Sequence, residues 1–459
     1  MKPVKAFDET RIPIEDLIAK TFELDCKPSF TSPSCIYKVP EALRNENKDA
    51  YTPQLISIGP LHNKNPKLKP MEKQKILYFT YFRRRDEAMV EVLKHYKKYI
   101  EKKENQIRDC YSETSQDDTN EFVRMILVDA VFIMELFLRK WEAHKFSNSD
   151  DLFTRYGVRT SFERDLLLIE NQIPFKVLEK LYKLVSSKVH KDQDHSSFLD
   201  LARLYFCDYD PYYQLSKGEI AEKHKLKTVW EKPEHFADLV RWLSVPQHLI
   251  FDAFSYSFSV NAATKLKLAG ITFQPDFSRC LLDVTFEKRP TLSPLSWLPY
   301  TPKSIKPHLQ IPTLRVDNST KSFFLNLMAF EQCHYPQHPY ISSYITLIAS
   351  LIRTKEDVEL LTESGVVHNE LSSDEEFLQM IRSLSKQIVA SSFCYGHLTK
   401  EVRKYYNSAY NHSMATIRLV YFRDVSRTTM TIFALVAITF CIISILSSLK
   451  YLNAKVSSY

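Results

Sequence analysis

The chain has 459 residues, 44% of them hydrophobic and 13% aromatic, enough apolar mass for a substantial core, and this excludes a globally disordered protein. Its net charge is +7, and the excess is local: residues 64–103 hold 13 Lys/Arg against 5 Asp/Glu, so the rest of the chain is near neutral. The six glycines stand far apart and form no GxGxxG, P-loop or GxSxG pattern, which argues against a P-loop NTPase, a standard Rossmann domain and an α/β-hydrolase with the usual nucleophile elbow.

Residues 1–30 read as an N-terminal arm with a short amphipathic piece at 14–22. Its opening, MKPVKAFDETRIPIEDLIAK, lacks the apolar centre of a secretory signal. Proline and asparagine make YTPQLISIGPLHNKNPKLKP irregular, apart from a short strand expected at 54–58. From Met71 the spacing of Tyr78, Phe82, Met89, Leu93, Tyr96, Ile100 and Ile107 predicts one long helix with a buried face. Its other face is basic. Three readings fit that face: a patch for anionic lipid headgroups, a nucleic-acid patch, or a solvated surface with i,i+4 pairs. No zinc-finger, RNP or helix-turn-helix signature accompanies it, so no nucleic acid is expected as a partner.

The apolar run 125–138 carries Asp129 and Glu135 and is too short to cross a bilayer, so a buried core helix is expected. In RDLLLIENQIPFKVLEKLYKLV, Pro174 ends one helix and opens the next. KDQDH near 192 reads as a surface loop, and 208–235 as irregular. SFLDLARLYF and HFADLVRWL have helical spacing. Leu282, Val284 and Phe286 alternate with polar residues, as do Leu314 and Val316, which predicts two short strands closing the proline-rich loop 288–308 in a hairpin-like element. Further helices follow in KSFFLNLMAFEQC and ISSYITLIASLI. Capping boxes are expected at Thr354–Asp357 and Ser373–Glu376, and a last amphipathic helix from Leu398 through Tyr421.

The run 428–449, opening at Thr428 and closing at Leu449, is TTMTIFALVAITFCIISILSSL and contains no charge. At roughly 1.5 Å per residue it is long enough to cross a hydrocarbon core. Arg423 and Arg427 precede it and Lys450 and Lys455 follow, where long cationic side chains reach headgroups. Residues 450–459 form a short tail. The eight cysteines make no CxxC pair and are expected as reduced thiols in a cytosolic body. Two sequons, at Asn318 and Asn411, would matter only in the inverted topology.

Several phrases in fixed order, YTPQLISIGPLH, DLLLIENQIPFKVL, AATKLKLAGITF, LLDVTFE, LQIPTLRVDNST, NLMAFEQC and EDVELLTESGVVHNELSSDEE, resemble the plant domain-of-unknown-function 247 family, the UPF0481-like membrane proteins. LVDAVFIMELF departs from the Asp-Gly-Cys-Phe that members show there. The resemblance covers nearly the whole chain and implies a plant membrane-associated protein with a mostly helical body and no established enzymatic activity. Some grass members are candidate determinants of pollen self-incompatibility, which implies a recognition role.

Residue chemistry points the same way. Glu163, Asp165, Glu170 and Asn171 could do acid–base work only if burial split their pKa values. With no histidine or nucleophile beside them, a hydrogen-bond network fixing the corner is expected. Pro336 separates His334 from His338, so Glu331, Cys333, His334 and His338 match no zinc spacing. His190 and His195 read as surface residues. His62 could shape an anion site with Lys64 and Lys67, or serve as a loop cap. No catalytic, cofactor or metal residue is assigned.

The expectation is therefore a mainly α protein: an α-rich body over 31–427 with a small β element, and a C-terminal transmembrane helix. Its expected partners are membrane lipid through Thr428 to Leu449, anionic headgroups through 64–103, and an unidentified protein. The expected place is the plasma membrane, with the body in the cytoplasm. A membrane-tethered enzyme is the alternative.

Overall fold

The computed structural model describes residues 34–113, 117–146, 156–189, 197–209, 232–246, 249, 259–276, 280–288, 307–389, 392–408 and 425–456. The arm, the KDQDH loop with His190 and His195, most of 208–235 and most of the proline-rich loop lie outside these residues. The protein is mainly α, with small sheets and an apolar helix near the C-terminus.

Helix α1 (Glu41–Glu46) packs against the second layer through Leu43, and the first layer comprises α2 (Lys69–Arg84), α3 (Met89–Arg108), α4 (Thr119–Phe146), α5 (Tyr156–Leu166), α6 (Phe175–Val189) and α7 (Phe198–Tyr205). Helix α4 is its axis, with α2, α3, α6 and α7 packed against it. Residues 130–138 of α4 are all buried, so the apolar run is core. Its two acids are matched by cations: Lys75 lies 2.6 Å from Asp129, and Arg85 and Arg139 both reach Glu135. Around Phe137 stack Phe198, Tyr205, Phe206 and Phe236.

The single long helix expected from Met71 is two helices. The Oδ1 of Asp86 accepts the Ala88 N–H at 2.7 Å, and its carbonyl accepts the Met89 N–H. This Asx turn restarts the chain as α3, while Arg85 is held inward by Glu135 and Glu142. Residues 54–58 are not a strand but coil, because their N–H groups bond side chains instead of a neighbouring strand.

Helix α8 (Phe236–Ser244) bridges the layers, with Phe236, Leu239, Val240 and Leu243 in the first core and Ala237 in the second, and α9 (Ala263–Leu268) opens the second layer. Strand β1 (Thr272–Asp276) runs parallel to β3 (His308–Pro312), and β2 (Thr285–Glu287) pairs antiparallel with β3. Strand β4 (Leu314–Val316) pairs in parallel with β5 (Val367–Asn369). Both expected strands exist, but the partner of β2 is His308–Gln310, and Leu314–Val316 turns to a second sheet. A bend at Thr313, whose N–H bonds the Asp276 carbonyl, separates the two.

Helices α10 (Thr320–His334), α11 (Tyr340–Leu351), α12 (Lys355–Glu363), α13 (Asp374–Lys386) and α14 (Gly396–Tyr406) complete this layer. Thr354 and Asp357 form a capping box for α12. At α13 the Ser373 hydroxyl caps the Glu376 N–H, but the Glu376 carboxylate takes the Ser372 N–H. The helix expected from Leu398 through Tyr421 ends at Tyr406, where the Asn407 N–H closes on Arg403; residues 409–424 lie outside the described part. Helix α15 (Val425–Val456) contains the window Thr429–Lys450, whose mean hydropathy is 2.6 and none of which is buried. Length and composition suit it to cross a membrane.

Candidate functional site

The first two family phrases, YTPQLISIGPLH and DLLLIENQIPFKVL, meet at one buried junction between the layers. The coil 54–59 cannot form helix or sheet bonds there, so its N–H groups need side-chain acceptors. Asp165, fully buried at the end of α5, accepts N–H bonds from Gln54, Leu55 and Ile56. Asn171 accepts from Ile58 and donates to the Ile56 and Asp165 carbonyls. Asp129 accepts from Gly59, whose φ of +71° and 2.6 Å approach to the Gln172 carbonyl leave no room for a Cβ.

Gln172 donates to the Leu166 and Leu168 carbonyls and accepts from Phe236 N–H, which ties in α8. Asn326 of α10 accepts the Ile169 N–H and donates to the Ala50 carbonyl. Glu170 accepts from the Val39 N–H, Arg44 and His62. Burial alone would raise Glu170, but the bonds from His62 and Arg44 outweigh it and hold the carboxyl below its ordinary range. Burial pushes Asp165 up despite its backbone donors. The corner carries the hydrogen-bond network its local chemistry leads one to expect, and the fold adds a histidine that sequence neighbours did not supply, His62 at 2.9 Å from Glu170.

The remaining candidates separate. Glu331, wholly buried, accepts Arg241 Nε at 3.0 Å and the N–H groups of Ile341 and Ser342. His334 bonds Tyr37, and His338 gives its carbonyl to Arg241. The anion site imagined around His62 is overturned, since His62 faces Glu170 and Lys64 faces Asp117 at 2.8 Å. Carboxylates already occupy those positions.

Lys75, Arg241 and His235 were not legible as partners. A cation for Asp129 is demanded by its apolar helix, and Lys75 stands on the same buried stripe as Tyr78 and Phe82, which is the signal that would have found it. Two carboxylates outweigh its burial: Asp129 and Glu72 raise the Lys75 pKa above its ordinary value. His235 caps α8 through Nδ1, which accepts the Asp238 N–H, so Nε2 carries the proton and donates to the Cys35 carbonyl. Complete burial depresses His235 to about 3 and keeps it neutral.

Two outward features remain. On α2, Lys69, Lys73, Ile76, Leu77, Tyr81 and Arg84 form one exposed stripe at helical spacing. On α3, Val90, Lys94, Lys97 and Lys98 are also exposed, with Lys97 paired to Glu101 at 3.3 Å. Ile76 and Val90 are 45% and 44% exposed, so apolar and cationic groups alternate on a solvent-facing surface. The second is a cavity of about 200 Å³ lined by Ser259, Asn261, Arg353, Arg403 and Tyr406 among others. Its two guanidinium groups bond the Val260 and Ser259 carbonyls, and among the described residues no carboxylate, histidine or thiol lines it.

An α-rich body braced by a buried polar junction and ending in a span-length apolar helix defines the class. Residues 36–440 match the family described as a plant protein of unknown function, DUF247, and the chain belongs to it. It is similar to UPF0481 protein At3g47200 of Arabidopsis thaliana, 28% identical over 92% of this chain and 87% of that protein. It is also similar to putative UPF0481 protein At3g02645 of the same plant, 27% identical over 90% of each. No solved structure matches the chain.

Proposed function

We propose that this protein is a membrane-anchored interaction module that rests the α2–α3 surface on anionic headgroups and presents the rest of its body to a protein partner in recognition or signalling. The span is residues 428–449, the body faces the cytoplasm, and the membrane is the plasma membrane, whose inner leaflet carries anionic lipid. The observation that carries the reading is the exposed stripe on α2. Ile76, Leu77 and Tyr81 there lie among Lys69, Lys73 and Arg84, none of which has an ion pair among the described residues. Apolar side chains exposed between unpaired cations match an interface of hydrocarbon edge and phosphate, whereas a solvated helix would carry acids at i,i+4. The scaffold role of the junction acids supports binding over catalysis.

Vesicle flotation tests this with a variant lacking 428–459, which removes the anchor and isolates the surface. It should float with vesicles containing about 30% phosphatidylserine at low salt and dissociate in 0.5 M salt. Lys73→Glu combined with Arg84→Glu should abolish flotation. Equal binding to neutral vesicles, or none to anionic ones, sinks the headgroup contact.

A further inference from the structure

We propose that Cys35 and Cys110 form a dithiol–disulfide site, closed by a peroxide-class oxidant, that ties residues 35–37 covalently to the end of α3. The backbone already pairs these segments. The Cys110 carbonyl accepts N–H bonds from Cys35 at 2.9 Å and Ile36 at 2.8 Å, the Ser112 N–H returns to the Ile36 carbonyl, and Ile36 bridges Tyr111 in parallel. Strand-like pairing sets facing residues about 4.8 Å apart, inside the roughly 4.4–6.8 Å between Cα atoms that a disulfide spans. Both thiols are buried, and the Cys110 S–H donates to the Gln106 carbonyl at 3.3 Å.

The surroundings favour one thiol as the nucleophile. The Cys35 thiol lowers the Cys110 pKa to about 7, against burial and the charge of Glu234 and with help from the nearby Lys176 ammonium. Cys35 is shifted the other way by Cys110 and by burial, so it stays protonated until the second step. Lys176 is exposed on the first turn of α6, so the cluster borders solvent there. Pairing a low-pKa thiolate with an adjacent resolving thiol is the arrangement that captures peroxide.

The steps balance. The Cys110 thiolate attacks the O–O bond of hydrogen peroxide, giving a sulfenic acid and hydroxide, which leaves as water with one proton. The Cys35 sulfur then displaces the sulfenic hydroxyl, its own proton going to that leaving group as a second water. Two thiols lose two electrons and the peroxide gains them. The new bond closes the chain from 35 to 110.

The test treats the full-length protein in detergent micelles with hydrogen peroxide and maps its peptides without reduction. The expected product is a peptide containing Cys35 joined to one containing Cys110, reversed by dithiothreitol, with unfolding shifted upward by about 5 °C. Cys35→Ser should stop the reaction at a sulfenic acid on Cys110 that dimedone traps. Lys176→Met, a change at the surface, should slow disulfide formation several-fold while leaving unfolding of the reduced protein unchanged. Cys110 joined to any other cysteine, a pair that stays reduced while the part-exposed Cys207 or Cys333 of the body oxidises, or a Lys176→Met rate equal to the parent's would each overturn the proposal.

Discussion

The Ile56 N–H ends on the carboxylate of Asp165, 109 positions away in the chain, at 2.9 Å, and the same carboxylate takes Leu55 at 2.6 Å. Removing the acceptor leaves buried N–H groups with no water to replace it. Asp165→Ala should cost about 3–5 kcal/mol, and Asp165→Asn, which keeps one acceptor oxygen, about 1–2 kcal/mol. Thermal unfolding of the detergent-solubilised protein measures both. An alanine loss under about 1 kcal/mol would show that the coil does not depend on this acid.

Legibility followed the range of each interaction. Helical stripes, the caps at Thr354 and Ser373 and the uncharged run 428–449 are set by neighbours within a few residues, so local spacing exposes them. The ENQIP corner was readable as a bonding network because its polar groups stand in an apolar run. Its acceptors' partners were not: residues 54–58 alternate like a strand, yet Asp165 and Asn171 take the bonds a strand would use. Strand pairing failed similarly, since nothing near Leu314 announces Val367. The break at Asp86 was hidden because the apolar stripe continues in phase across it.

Gly59 joins two buried contacts, and each can be broken separately. Gly59→Ala forces a Cβ to 2.6 Å from the Gln172 carbonyl at φ +71°, which should cost about 2–4 kcal/mol. Lys75→Met strands the Asp129 carboxylate that holds the Gly59 N–H and should cost about 3–5 kcal/mol. Lys75→Met with Asp129→Leu should lose less than the sum of the single changes by about 2 kcal/mol. Strict additivity in denaturant unfolding would mean the pair is not coupled.

Topology is decided by Asn318. Asn318 is exposed just ahead of α10, beside the Asp317 turn that caps the Ser319 and Thr320 N–H groups. A body in the cytoplasm should carry no glycan there, and glycosidase treatment of protein expressed in plant cells should leave its mobility unchanged. A shift lost in Asn318→Gln would place the body on the opposite side of the membrane and remove the inner-leaflet lipid from its reach.

His235 sets an acid limit on the fold. Its folded pKa of about 3 lies below the ordinary value of 6.5, so the unfolded chain takes up a proton that the folded chain refuses. Stability from this group is full above pH 6.5 and falls as pH drops toward 3, by roughly 2 kcal/mol at pH 5. Neighbouring Asp238 has the opposite sign: burial raises it to about 6, so the folded state gains protons first and recovers roughly 1.4 kcal/mol by pH 5. The parent should therefore lose little between pH 6.5 and 5. His235→Asn keeps a side-chain acceptor for the Asp238 N–H but has no proton to gain. It should become more stable on going from pH 6.5 to 5, by roughly 1.2 kcal/mol relative to its own value at 6.5, while starting lower for loss of the bond to the Cys35 carbonyl. Urea unfolding at the two pH values compares them, and parallel pH dependences would show that His235 takes up its proton without unfolding.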